Sequence, residues 1–493
     1  MSRDALISRS MSTISDAGTG ASVASDRGGI AGHPRGLTTL FFTEFWERFS
    51  YYGMRALLIL FMTDTARGGL ALDTATAAAI YGFYTSAVYF MGIPGGWIAD
   101  RLLGQRNAVL YGGILIAMGH FSLAINSTAT FYAGLVLIVL GTGLLKPNIS
   151  SIVGQLYSAD DRRRDAGFSI FYMGINMGSF FSPLVCGYLG QEVGWHWGFG
   201  AAGVGMTFGL IQYVLGGKRL GNAGRLAEKP RGAGRLWLAV VLAVFAITAT
   251  FYFLWDYRDF VLLAGTVGVF WWLLSQGKGS VEKKRIWSII AFFVFALLFW
   301  AGFEQAGSSL NLFADRYTQN SIFGMQFPSS FFQSVNPLAI IALAPLFAWL
   351  WVRLGDKEPS SPAKFMVGLV FLSLGFVVVA GAAMVSGQGS GSRVSPMWLI
   401  AVYVLHTIGE LCLSPVGLST VTKLAPERLV GSMMGVWFLA ASLGNFVGGR
   451  IAGLFEKLPL PQLFGAVFIT TGISALLLLF LIRPIRNLMG GVH

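Results

Sequence analysis

Residues 43–62 read TEFWERFSYYGMRALLILFM, in which a charged stretch runs directly into an apolar one. The ionisable residues recur three and four positions apart, which is the spacing of one face of an α-helix. That face consists of Glu44, Glu47, Arg48, Tyr51, Tyr52 and Arg55. The apolar continuation predicts a membrane helix, in which each lipid-exposed charge would cost several kcal/mol. The face is therefore predicted to line a substrate or ion pathway, or alternatively to form a buried ion-pair network that only holds helices together.

The composition of the whole chain is that of a membrane protein. Of 493 residues, 54% are hydrophobic and 12% are charged, and this charged share is about half that of a soluble domain. Apolar runs long enough to cross a bilayer recur from end to end, so the predicted fold class is an all-α polytopic membrane protein. The net charge is +12, but the basic residues lie in loops between apolar runs, and no nucleic-acid partner is predicted.

The apolar runs predict about fourteen transmembrane helices, arranged as six, an inserted pair and six more. Two six-helix halves around a central cavity are a common transporter architecture. The predicted spans are 37–65, 77–100, 107–125, 129–154, 166–189, 197–216, 236–255, 259–276, 286–306, 331–352, 365–385, 395–421, 431–453 and 463–483.

The same runs divide the chain into five segments. The first is rich in Ser, Gly, Ala and Asp and lacks the apolar core of a secretory signal, which predicts a disordered tail. The predicted segments are a cytoplasmic tail 1–36, a six-helix bundle 37–217, a linker with two extra helices 218–285, a second six-helix bundle 286–485 and a cytoplasmic tail 486–493.

The distribution of basic residues predicts the orientation. Clusters such as Arg162–Arg164, Lys218–Arg235 and Lys283–Arg285 lie in one set of loops, whereas the opposite set carries isolated basic residues. By the positive-inside rule the first set is cytoplasmic, and so are both chain termini. The predicted location is the cell (inner) membrane, with membrane lipid as a partner.

The sequence carries no signature of an enzyme or of a metal site. Cys186 and Cys412 stand alone in apolar segments, and the five histidines show no ligand spacing. His120 and His406 are predicted to be packing or surface groups. Since no nucleophile elbow or phosphate loop is present either, no catalytic residue, metal or cofactor is predicted.

Several separated motifs resemble those of known transporters. The stretch GGWIADRLLGQR at 95–106 resembles the cytoplasmic loop signature of the major facilitator superfamily. EFWERFSYYG at 44–53 resembles the ExxERFxYYG motif of the proton-dependent oligopeptide transporter (POT) family. GTGLLKPNI at 141–149 and GELCLSPVGLS at 409–419 resemble the same family, and the likeness runs from about residue 37 to 485. The inserted helices resemble those of bacterial members.

The resemblance implies a major facilitator fold and proton-driven import of di- and tripeptides. Members of the family hold a zwitterionic peptide between cationic and anionic pockets. Arg55 and Lys146 resemble the carboxylate-binding cations, and Glu410 with Asn176 and Asn336 resembles the group that receives the amino terminus. The alternative for Glu410 and for each asparagine is a helix-locking role. The resemblance also implies that side-chain pockets are lined by Tyr51, Tyr52, Tyr84 and Trp437. The alternative for each of these residues is that it only packs against neighbouring helices.

For protons, the resemblance and the charge inventory point to Glu44, Glu47 and Glu304 together with Arg48. A proton that neutralises Glu304 would free the carboxylate-binding cations for the peptide. Around the cytoplasmic loop signature, Asp100, Arg101 and Arg106 resemble the residues that latch helices in the outward-facing state.

Two rival functions remain open at this stage. The first is the same fold carrying nitrate or another small anion, which Glu410 and its asparagines disfavour because that group should repel an anion. The second is a non-transporting membrane sensor, which would not need titratable groups at mid-membrane in both halves. A single chain supplies both halves of the cavity, so a functional monomer is predicted.

Overall fold

The computed structural model describes residues 26–158, 160–226, 258–387 and 392–490, together with residues 234, 236, 238 and 242. Almost all of the described chain is helical, which confirms the all-α prediction. The helices of its first half are α1 (Arg35–Thr63), α2 (Thr74–Ile98), α3 (Gln105–Leu123), α4 (Thr128–Gln155), α5 (Arg164–Tyr188) and α6 (Trp195–Gly216).

The second half of the described chain also consists of long helices, and one of its spans is broken into two helices. The first inserted span, predicted at 236–255, lies outside the described residues apart from positions 236, 238 and 242, and the second is present as α7. A two-stranded hairpin follows α9, with β1 (Ser321–Ile322) antiparallel to β2 (Met325–Gln326). The helices are α7 (Arg258–Gln276), α8 (Gly279–Phe303), α9 (Ser309–Tyr317), α10 (Val335–Leu354), α11 (Ser361–Val385), α12 (Met397–Leu424), α13 (Val430–Ala452) and α14 (Leu460–Met489).

Many of these helices are long and apolar enough to cross a bilayer. Eight spans of the described chain meet that description by length and hydropathy alone. They comprise α4, α5, α6, the pair α8–α9, α10, α11, α12 and α14. Helix α1 departs from a uniformly apolar span because it carries the charged face noted above. That face is almost fully buried in protein, which removes the cost of placing it in lipid.

The chain contacts the helical body just before the first helix. Helix α1 begins at Arg35, whose backbone N–H donates to the Asp26 carboxylate at 2.9 Å. His33 Nδ1 lies 2.8 Å from the hydroxyl of Tyr157, at the end of α4. Residues 26–36 therefore dock on the helical body, and only residues 1–25 of the predicted tail lie outside the described residues.

The first part of the linker is also docked. After a 3-10 turn at Gly217–Leu220, the Arg106 guanidinium donates from Nε to the Ala223 carbonyl at 2.6 Å and from Nη2 to the Gly221 carbonyl at 2.7 Å. The Gly224 N–H donates to Gln155 Oε1 at 2.8 Å. Arg106, predicted as part of a latch, thus binds the chain that leaves the first half.

Helices of the two halves meet most closely where α2 crosses α13. A Cβ added to Gly82 would lie 2.7 Å from the Gly449 Cα, so the two backbones touch. One helical turn further along, the hydroxyls of Ser86 and Ser442 lie 2.9 Å apart. On the other side of the molecule, Ser334 Oγ, just before α10, donates to the Phe180 carbonyl of α5 at 2.7 Å.

Two polar clasps join the halves at one end of the molecule. We call the end where α1 begins and α14 ends the terminal face, and the other end the opposite face. At the opposite face Gln191 Nε2 donates to Ser329 Oγ at 2.9 Å, and Gln191 Oε1 accepts from the Ser330 N–H at 2.9 Å. Nearby, Glu456 Oε1 accepts from Thr74 Oγ1 at 2.5 Å and from Arg316 at 2.6 Å. At the opposite face these two clasps therefore join the halves. The domain boundaries predicted above stay a prediction.

Candidate functional site

The charged face of α1 divides into two ion-pair groups. Near the terminal face, Arg48 lies between two carboxylates of its own helix, with Arg48 Nε 2.9 Å from Glu44 Oε1 and a direct contact with Glu47. All three side chains are at most 3% exposed. The spacing i, i+3, i+4 brings them together on any regular helix. This group is therefore complete without the second half of the molecule.

The second group joins α1 to the other half. Two turns after Arg48, the Arg55 guanidinium contacts the Glu304 carboxylate directly, and both side chains are buried. Arg55 Nε also donates to the Tyr81 hydroxyl of α2 at 2.6 Å. The rings of Tyr52 and Tyr81 each lie 5.8 Å from the guanidinium carbon, within the range of cation–π attraction.

Glu304 is positioned by a break in its helix. Helix α8 ends at Phe303, residues Glu304–Gly307 form a 3-10 turn, and α9 begins at Ser309. Ser308 has φ −126° and ψ −95°, so the helix does not continue through it. The Glu304 carboxylate, at the start of this break, meets Arg55 of the first half.

A cavity of about 150 Å³ lies between the halves, next to this ion pair. Six of the residues predicted from the sequence line it, and they come from both halves. They are Tyr52, Arg55, Asn176, Glu304, Asn336 and Glu410. Since Arg55 lies on α1 and Glu410 on α12, the cavity presents a cationic group and anionic groups on different walls.

The predicted amino-terminus group is partly assembled. Asn336 Nδ2 donates to Glu410 Oε2 at 2.9 Å and lies at the same distance from Thr407 Oγ1. Asn176 also lines the cavity, but its amide donates to the Tyr172 carbonyl of its own helix at 2.9 Å. Asn336 and Glu410 therefore form a pair, while Asn176 faces them from the first half.

Other predicted site residues lie behind the cavity wall. The Lys146 ammonium lies 4.3 Å from the ring centroid of Tyr89, a wall residue, and close enough to Glu47 to interact with its charge. Tyr51 and Tyr84 are each 3% exposed, and Trp437 packs on Phe365 with ring centroids 6.1 Å apart. In this arrangement these aromatic residues pack against protein. Of the predicted latch, Asp100 accepts from Gln105 at 3.2 Å, and both Asp100 and Arg101 are exposed.

The wall also contains residues that the sequence gave no reason to select. They include aromatic and amide side chains on α2, α5, α8, α12 and the turn before α10, namely Tyr89, Tyr172, Trp300, Phe303, Gln333, Tyr403 and His406. The predicted packing role of His406 accords with its ring lying 5.0 Å from that of Phe376. Aromatic residues are frequent in every span, so only the three-dimensional arrangement distinguishes these.

Comparisons with known proteins identify relatives of the whole chain. The profile of the PTR2, or POT, family matches residues 106–467. The chain is 44% identical to an uncharacterised transporter, YclF, of Bacillus subtilis, over 94% of this chain and 96% of that protein. It is 42% identical to the peptide transporter YePEPT of Yersinia enterocolitica, with the same coverage. These relatives are transporters rather than enzymes.

A solved structure agrees with the fold described above. The crystal structure of a peptide transporter POT in complex with sulfate is 42% identical in sequence, with a TM-score of 0.88. The likeness covers 96% of this chain and 99% of that one. It confirms the predicted fold class, a major facilitator fold with inserted helices, in a multi-pass membrane protein.

Proposed function

This chain belongs to the POT family, and from that premise we propose that it imports di- and tripeptides together with protons by alternating access. The observation that carries the proposal is the placing of the Arg55–Glu304 pair and the Asn336–Glu410 pair around one cavity. A peptide is a zwitterion whose two charges lie a few ångströms apart. A cavity with a cation on one wall and a carboxylate on another matches that charge distribution.

Arg55 is proposed to bind the peptide carboxylate. Its planar guanidinium can donate two parallel hydrogen bonds to a carboxylate, which a lysine cannot do. Lys146 supplies a second positive charge behind Tyr89 and is proposed to assist. Glu410, already paired with Asn336, is proposed to accept the peptide amino terminus, with Asn176 opposite. Tyr51, Tyr52, Tyr84 and Trp437 remain proposed side-chain contacts, and of these only Tyr52 lines the cavity in this arrangement.

The proton is proposed to act by breaking the Arg55–Glu304 pair. A neutral Glu304 no longer binds the guanidinium as an ion pair, so Arg55 becomes available to the peptide carboxylate. Once peptide and proton leave, the pair reforms and holds the halves together again. Glu44, Glu47 and Arg48 are proposed to carry protons or balance charge beside this step, and Asp100, Arg101 and Arg106 to stabilise the alternative, outward-facing state.

The direction of transport follows from the orientation of the chain. The basic loops lie at the terminal face, which we propose is cytoplasmic in the cell membrane. The opposite face, where the Gln191 and Glu456 clasps join the halves, is then the outer one. We propose that the arrangement described here is the state that releases cargo inward. Both walls of the cavity come from one chain, so a monomer suffices.

Uptake into proteoliposomes tests the proposal. The purified protein, reconstituted with an inward proton gradient, should accumulate a labelled dipeptide above its equilibrium concentration, and a protonophore should abolish the accumulation. About 1.4 kcal/mol is available per proton and pH unit, which corresponds to about tenfold accumulation. Exchange without accumulation would contradict the coupling. Uptake of nitrate in place of peptide would favour the anion alternative, which the carboxylate of Glu410 disfavours.

A further inference from the structure

The break between α8 and α9 leaves backbone groups without helical partners inside the membrane. A carbonyl released in this way must find another donor, because lipid supplies none. The Ala306 carbonyl, in the middle of the 3-10 turn, accepts from two side chains: Gln333 Nε2 in a direct contact and the Tyr403 hydroxyl at 3.2 Å. Gln333 Nε2 also lies 3.0 Å from the Tyr403 hydroxyl, so the two donors hold one another in place.

Both donors belong to the same half of the molecule as the break. Gln333 precedes α10, and Tyr403 lies on α12, where it is 2% exposed. The side of the break that faces the first half is different, because there a Cβ on Gly307 would lie 1.8 Å from the Tyr81 hydroxyl. That hydroxyl accepts from Arg55. The turn is thus hydrogen-bonded to neutral donors of its own half, and it contacts the first half through Glu304 and Gly307.

We propose that Gln333 and Tyr403 are positioning residues for proton coupling: they hold the 3-10 turn so that the Glu304 carboxylate points at Arg55. This inference rests on the proposed function, because it assigns the two residues to the coupling step at Glu304. Their hydrogen bonds are uncharged and lie within one half, so neither protonation of Glu304 nor separation of the halves breaks them. The carboxylate therefore stays aimed at the first half in every state of the cycle.

Tyr403→Phe and Gln333→Met test the proposal, because each removes a donor while keeping most of the side-chain volume. At a gradient of about one pH unit, we expect the peptide accumulation ratio of each variant to fall from about tenfold towards unity. Counterflow exchange, which needs peptide binding and movement but no proton gradient, should fall by a clearly smaller factor than the accumulation ratio, even though both side chains also line the cavity. The pH dependence of driven uptake should flatten as it does in Glu304→Gln, and adding Tyr403→Phe to Glu304→Gln should change it no further.

A matched control is available far from the cavity. The Ser373 hydroxyl of α11 donates to the Phe468 carbonyl of α14 at 3.1 Å, so Ser373→Ala removes a hydroxyl-to-carbonyl hydrogen bond within the same half without touching the break. Its accumulation ratio should equal that of wild type. The proposal is overturned if Tyr403→Phe and Gln333→Met keep wild-type accumulation and pH dependence, or if counterflow and accumulation fall in the same proportion. By contrast, failure of wild type itself to accumulate peptide would overturn the proposed function.

Discussion

Two arginines on the same helix, seven residues apart, have different kinds of partner. Arg48 binds Glu44 and Glu47 of its own helix, whereas Arg55 binds Glu304 of the other half. Separating the halves leaves the first group unchanged and breaks the second. An ion pair inside one helix keeps charged side chains buried, but a movement of the halves does not change the distance between its partners. In the proposed mechanism, the Arg55–Glu304 pair, which joins the two halves, couples protonation to that movement.

The largest effect is expected from removing Arg48, because its loss takes away the cation that directly contacts two buried carboxylates. Arg48→Ala should lower the free energy of unfolding by about 3–5 kcal/mol, as expected for breaking a buried ion pair. The thermal unfolding midpoint of the purified protein in detergent measures this. Glu304→Gln, which removes a charge from the cross-half pair but keeps a hydrogen-bonding group beside Arg55, should lower the midpoint less. The reverse order would contradict the contrast between the two groups.

The next effect concerns transport rather than stability. Glu304→Gln should abolish proton-driven accumulation, a loss of about 1.4 kcal/mol per pH unit, while counterflow exchange of peptide persists. Parallel measurements of accumulation and counterflow in proteoliposomes separate the two activities. Glu358→Gln is the matched control, since its carboxylate pairs with Lys364 within the second half. If Glu304→Gln still accumulated peptide, the Arg55–Glu304 pair would not be the one that couples the proton to transport.

A smaller effect is expected at the opposite face, where the clasp at Gln191 is neutral. Gln191 Nε2 lies 3.4 Å from Asp315 Oδ1, so Gln191→Glu places two carboxylates side by side. We expect about 1–2 kcal/mol of repulsion, which shifts the equilibrium about tenfold towards an open opposite face. The distance between spin labels at Ala66 and Lys457, both exposed, should lengthen. Asp315→Asn in the same chain should restore it; an unchanged distance in Gln191→Glu would show that the clasp does not hold the halves.

The smallest effect is expected at Glu456, which lies outside the membrane helices. Hydrogen bonds from Thr74 and Arg316 hold the pKa of Glu456 below its ordinary value of 4.5. A lowered pKa means that the carboxylate stabilises the folded protein above pH 4.5 and loses this contribution only as the pH falls through the lower value. Acidification from pH 7.5 to 5.5 should therefore leave the clasp intact.

The measurement for Glu456 is the same spin-label distance at the two pH values. Its change between the two pH values should be the same in wild type and in Glu456→Gln, and Glu456→Gln should reduce stability by no more than about 1 kcal/mol at either pH. A distance that lengthens on acidification in wild type but not in Glu456→Gln would assign the outer opening to this carboxylate instead of to Glu304.

The sequence predicted the helices and the charged face of α1 because both depend on local periodicity. Apolar runs and a three-to-four spacing are readable from neighbours in the chain, so Arg48 and its partners needed no structure. The break at Glu304–Gly307 was not predicted, since the span was placed at 286–306 as one helix. Its Ala306 carbonyl accepts hydrogen bonds from Gln333 and Tyr403, which are distant in sequence. The partners of Arg106 were not predicted either, because they are backbone carbonyls, which leave no side-chain signature in the sequence.

The contact between Gly82 and Gly449 has a mechanical consequence. Gly82 lies 8 residues from the start of α2 and 16 from its end, which corresponds to about 12 Å and about 24 Å along the helix axis. If α2 tilts about this contact, the pivot therefore lies nearer to the start of the helix than to its end. A given tilt of α2 about this point moves its end at the terminal face about twice as far as its end at the opposite face. If α2 tilts as a rigid rod, a small separation at the clasps of the opposite face therefore corresponds to a displacement about twice as large at the terminal face.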